Sequence, residues 1–172
     1  IPLGTVTKVL QNLLNESVVI KDMRTIIETL SDECGKTQDP EVLTSMVRPK
    51  LGRMIIQNIV DADSTLEVMT LDPELEQILH NVIQQNQGNQ EIILEPGLQE
   101  ALFKAIKDNT QEIEEMGQPA VLVVSPGVRP WLSKTLKHRT PDLTVLSYVE
   151  IPEDQAVKVI KTVAINLKGD TK

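Results

Sequence analysis

The sequence predicts an α+β/α/β chain: a small helical subdomain over residues 1–62, then an α/β subdomain over residues 63–172 with a four-stranded mixed sheet. Three observations lead there. Apolar residues recur at helical spacing through the first 60 residues. From Leu66 onward, short runs rich in Val, Leu and Thr alternate with longer helical patterns, the order expected when helices pack on a sheet. Between the two lies a polar break, Asp61-Ala62-Asp63-Ser64.

The first helix carries Val6, Val9, Leu10, Leu13 and Leu14 on one face, and Pro2 suits its first turn. A second starts at Asp22, a good N-cap, and turns Met23, Ile26, Ile27 and Leu30 inward, with Gly35 as its C′ residue. A third opens with Asp39 and Pro40 and runs through Leu43, Val47, Leu51, Met54 and Ile55. Pro49 is expected to kink or divide it, because its ring removes an N–H and crowds the preceding turn. Leu66, Val68 and Leu71 form the first strand, which needs partners from Ala120–Ser125, Thr144–Tyr148 and Val157–Ile165. A helix opened by Asp72 and Pro73 leads to a Gln/Asn/Gly tract, Gln84 to Gln90, read as a loop inside the second subdomain. A longer helix from Gly97 to Met116 follows. Its end is crowded by Glu112, Glu114 and Glu115, which oppose the helix dipole and are expected to fray it. Val121–Val124, a helix holding Trp131, Leu132 and Leu136, and Thr144–Ser147 then make a βαβ unit. The last strand alternates like a sheet edge, with Lys158 and Lys161 blunting it against further pairing.

Composition narrows the function. The net charge is -8, with 7 basic against 11 acidic residues through Asp72 and 10 against 14 beyond it. A phosphate-binding surface needs clustered cations, so this balance argues against nucleic acid and anionic membranes. The only aromatics are Phe103, Trp131 and Tyr148, too few for base-stacking platforms. Cys34 is the single cysteine and has no internal partner, which fits a reducing cytosol. No run approaches the roughly 18 apolar residues of a membrane-spanning helix. The chain opens at Ile1, directly in helical pattern, as a piece of a longer protein would, and any membrane part is expected upstream.

No reactive constellation emerges. A structural zinc site needs several Cys or His at close spacing, whereas Cys34, His80 and His138 lie far apart, so no metal or cofactor is expected. Asp61, Asp63, Thr65 and Glu67 resemble the start of a calcium loop, but Leu66 stands where that loop needs glycine. Ser125 lacks a G-x-S-x-G setting. Ser125-Pro126-Gly127 sits where an α/β sheet could present a helix N-terminus to an anion, the basis of an alternative reading as a small-molecule enzyme. A helix-turn-helix nucleic-acid-binding regulator is the other alternative, with Val6–Asn15 as support and Asp22–Leu30 as reader. The acidic residues of that reader and of the positions just after it, Asp22, Glu28, Asp32 and Glu33, oppose it. Arg129, Lys134, Lys137, His138 and Arg139 make the one basic cluster, and its last members complement a helix C-terminus.

Three stretches carry a family resemblance: VTKVLQNLLNESVVIKDMRTIIETL at Val6–Leu30, LTSMVRPKLGRMI at Leu43–Ile55, and QPAVLVVSPGVRPWLSKTLKHRTPDLTVLSYVEIP at Gln118–Pro152. Together they resemble the major export-gate family shared by flagellar assembly and virulence type III secretion, on its flagellar side. The resemblance implies a non-catalytic fragment holding the last two cytoplasmic subdomains, at the cytoplasmic face of the bacterial inner membrane. Contact with the membrane would come only through an N-terminal half. It implies a nonameric ring of copies built by the helical third subdomain. Flagellar export chaperones, substrates and other export-apparatus components would be partners, with the α/β fourth subdomain beside the docking cleft. The charged residues of the matching helical segments, Asp22, Arg24, Arg48 and Arg53, become the expected contacts between ring neighbours. For each, the competing reading is an intramolecular ion pair or a solvated face.

Overall fold

Aspartate followed by proline opens two of the helices, because the carboxylate accepts a free N–H of the first turn while proline has none to leave unpaired. Asp39 accepts from the Glu41 N–H at 2.8 Å, and Asp72 from the Glu74 N–H at 3.2 Å. The computed structural model describes residues 1–87, 92 and 94–166. They divide into two compact units: Ile1–Leu66 with Tyr148–Ala156, and Glu67–Ser147 with the chain from Val157 on.

In the first unit, α1 (Leu3–Asn15) buries Val9 and Leu13, and α2 (Met23–Glu33) buries Ile26 and Leu30. Both pack on α3 (Pro40–Val47), whose Leu43 and Val47 are fully enclosed. After α1 the chain reverses through Ser17 at φ 60°, a left-handed position, and the Val18 N–H donates back to the Leu13 carbonyl at 2.9 Å. Pro49 divides the third predicted helix: Arg48–Leu51 tighten into a 3-10 turn before α4 (Gly52–Gln57) resumes. Gly35 does follow the C-cap Cys34, but Gly117 is the only described glycine with positive φ, so α2 ends without a left-handed cap. The late segment Tyr148–Ala156 opens with a 3-10 turn, Tyr148–Glu150, and meets α4 where only glycine fits. A Cβ on Gly52 would stand 1.9 Å from the Glu150 carbonyl oxygen.

The second unit is built on β1 (Leu66–Leu71), β2 (Val121–Val124), β3 (Thr144–Ser147) and β4 (Val157–Val163), in the order β3-β2-β1-β4. Met69 pairs with Leu122, and Val121–Val124 run beside Thr144–Ser147, both in parallel. β4 runs the same way, since the Leu66 N–H reaches the Ala156 carbonyl and the Asp72 N–H the Val163 carbonyl. The sheet is therefore all parallel, where a mixed one was expected. Each connection is a crossover that returns the chain to its starting end, and no hairpin reverses it. Three helices supply the remaining core: α5 (Pro73–Gln85) with Leu75 and Leu79, α6 (Pro96–Glu115) with Leu102, Phe103, Ile106 and Ile113, and α7 (Arg129–Leu136) with Leu132 and Leu136. The acidic end of α6 stays closed. Gly117 at φ 76° lets the Gln118 N–H return to the Ile113 carbonyl at 3.3 Å, and Glu112 pairs with Lys161 of β4. Residues 88–90 of the predicted loop lie outside the described residues.

Candidate functional site

The βα turn after β2 already holds an anion of the protein's own. Glu76 of α5 accepts a hydrogen bond from the Ser125 N–H at 2.7 Å, and the His80 ring lies so near Gly127 that an added Cβ would stand 3.1 Å from Nδ1. One backbone donor that an incoming phosphate could use is thus taken. Ser125 Oγ is buried and has no hydrogen-bond partner among the described residues, so it is screened from the solvent that an attacking hydroxyl must reach. Among the described residues, no three His, Cys, Asp or Glu side chains come together to hold a metal, and no helix is long and apolar enough to cross a membrane. A surface depression of ≈ 480 Å³ is lined by Pro73, Glu74, Gln77 and Ile78 of one helix, and lacks the converging polar groups of a small-molecule site.

Organised polar chemistry lies instead in the first unit. The Arg48 guanidinium is enclosed between two carboxylates. Its Nε donates to Glu150 Oε1 at 2.9 Å and its Nη1 to Glu16 Oε2 at 2.7 Å. One α-helix end, one 3-10 turn and the late segment are thus tied at one buried cation. Arg53 repeats the device at the surface, with Nη1 and Nη2 each donating to an Asp154 carboxylate oxygen at 3.1 Å. That fork holds Asp154 below the usual carboxylate range and raises Arg53 in turn.

Of the four charged residues expected at the surface, Arg48 is 2% exposed and turned inward, because Glu16 and Glu150 offer a buried cation the partners it requires. Arg53 is exposed and shares with Arg48 the task of holding the late segment. Asp22 and Arg24 sit apart from these, at the start of α2. Asp22 accepts from the Thr25 hydroxyl at 2.6 Å and its N–H at 3.1 Å, bonds that keep its carboxyl below the ordinary value. Arg24 reaches Glu28 at 2.8 Å along the exposed side of the helix.

The sequence pattern sets Leu14 on the buried face of α1 and turns Met23 and Ile27 inward, but all three are exposed, because the buried stripes are narrower than the apolar arcs. Leu3 is 81% exposed, and Leu14, Met23, Ile27 and Val42 also face solvent, as does Tyr148 at 59% with Val149 beside it. A signal was available. The apolar residues of α1 and α2 span a wider arc than one buried stripe needs, and the surplus members are the exposed ones.

Comparison with known proteins places this architecture. The FHIPEP family model matches residues 1–156. The flagellar biosynthesis protein FlhA of Salmonella typhimurium is 39% identical over 167 residues, which cover 95% of this chain and 23% of that protein. The chain thus spans about a quarter of the length of that relative. The Chlamydia pneumoniae CdsV structure superposes with a TM-score of 0.85 at 30% identity, over 95% of this chain and 47% of that one. The nonameric EscV cytosolic domain from a type III secretion system gives 0.74 at 27% identity, over 94% and 47%. Matched by the family model along nearly its whole described length and by a flagellar relative across 95% of its residues, the chain belongs to the FHIPEP family.

Proposed function

We propose that this chain is a non-catalytic part of the cytoplasmic half of a flagellar type III protein-export gate. In this reading the first unit is the third cytoplasmic subdomain, which packs against further copies in a nine-membered ring. The α/β unit is the fourth and borders the surface that receives export substrates and their chaperones. The observation that carries the reading is the exposed apolar set Leu3, Leu14, Met23, Ile27 and Val42, on a unit whose own core is already closed. Exposed apolar side chains that gather into one patch mark association sites; that these five gather so is part of the reading, and the EscV relative is itself nonameric. Asp22, Arg24 and Arg53 stand as polar contacts between copies, while Arg48 shapes the contact unit from within. Other export-apparatus components dock on the same cytoplasmic assembly, which meets the inner membrane only through an N-terminal half.

The test uses the full-length protein in cells. Met23→Glu with Ile27→Glu should leave the protein folded but reduce ring assembly, measured by cross-linking between copies, together with swimming and filament export. Normal ladders of cross-linked copies and normal motility in that variant would defeat the reading.

A further inference from the structure

We infer that the end of α7, together with the adjoining face of α6, is a docking surface for an acidic segment of a partner protein. No Asp or Glu occurs between Glu115 and Asp142, although the chain as a whole is acidic. Inside that stretch Lys134, Lys137, His138 and Arg139 crowd one helix end, all exposed. Arg139 does not wave free. Its guanidinium lies over the Phe103 ring, 4.4 Å from Cζ to the centroid, which joins the α7 end to α6 and fixes the cation before anything binds. Lys107 stands one turn beyond Phe103 on the same side of α6 and is exposed.

Among the described residues, Lys107, Lys137 and Arg139 enter no ion pair, as is also true of Lys8, Lys21, Lys50, Lys104 and Lys158; what sets the patch apart is that three cations and a histidine gather at one helix end inside the stretch without Asp or Glu. A helix dipole is complemented within its last turn by one or two cations. Lys107 belongs to another helix and answers no such need.

The fitting partner is short. Charges act over about 8 Å at physiological salt, so the patch attracts locally despite the negative chain. A nucleic acid would run past it onto Glu100, Asp108 and Asp142, exposed carboxylates at its margins. A few aspartates or glutamates in an extended segment would meet only the cations.

Binding of a fluorescein-labelled Asp/Glu-rich peptide of about ten residues to the 172-residue chain, followed by anisotropy, tests this. Lys137→Glu with Arg139→Glu should weaken binding about tenfold. Lys8→Glu with Lys50→Glu, the same charge change at exposed positions elsewhere, should leave it near the wild-type value. Phe103→Leu, checked for an intact melting transition, keeps every charge and should lose part of the affinity. No measurable binding, equal loss from both charge-reversed pairs, or tighter binding of a labelled single-stranded DNA would each overturn the inference. A Phe103→Leu chain that binds as well as wild type would overturn the role given to Arg139.

Discussion

Arg48 decides how the first unit tolerates change. Removing one partner of a buried pair leaves an uncompensated charge and costs about 3 to 5 kcal/mol. Glu150→Ala should fall near the lower limit, because Glu16 still reaches the guanidinium at 2.7 Å. Arg48→Leu combined with Glu150→Leu should be less damaging than the two single changes added together, since Glu16 is partly exposed and can turn to water. Urea titration of the four chains would show this; strictly additive losses would mean the pair is not coupled. Asp154 gives the acid response. Its folded carboxyl is held below the ordinary value by Arg53, so the stabilisation is complete above the unfolded pKa and is lost as pH falls through the folded one. The melting difference between wild type and Asp154→Asn should therefore be full near neutrality and shrink below about pH 4. A difference that stays constant down to strong acid would exclude the ion pair as its source.

At the scale of elements, Gly52 sets the tightest constraint. Its Gly52→Ala variant must move backbone, not a flexible side chain, because the obstructing atom is the Glu150 carbonyl oxygen. A loss of about 1 to 3 kcal/mol is expected, read as weakened hydrogen-exchange protection across α4 and the Tyr148–Glu150 turn. Unchanged protection there would show that the segment is held elsewhere. Most elements were legible beforehand. Asp22, Asp39 and Asp72 announced helix starts by side-chain chemistry alone, and all three side chains accept the expected N–H. Pro49 announced the break by what it lacks. Two things were not local enough to read. β4 pairs beside β1 through backbone bonds that no periodicity encodes. The Arg48–Glu150 pair joins residues 102 positions apart, so neither charge advertises the other. Arg48 consequently looked like a surface cation, as arginines mostly are.

For the whole molecule, the partition of the chain matters more than its two halves. The first unit owns Tyr148–Ala156, which the chain delivers only after completing three strands of the sheet. A peptide ending at Leu66 should therefore be less cooperative in thermal unfolding than the same peptide with residues 148–156 attached by a flexible linker, since only the second restores Glu150 to Arg48. Equal transitions would show that the late segment is dispensable. The 172-residue chain should be monomeric or weakly associating in light scattering, because a lasting interface needs about 1,000 Å² of total burial. A stable ring formed by this chain alone would contradict that expectation.

The same partition imposes an order on biosynthesis. Arg48 leaves the ribosome 102 residues ahead of Glu150, a lag of about 5 to 20 seconds at ordinary rates of translation. During that interval the nascent helices have Glu16 but not Glu150 to answer the guanidinium, so the amino-terminal bundle waits, with one of its two carboxylate partners in place, for a turn not yet made.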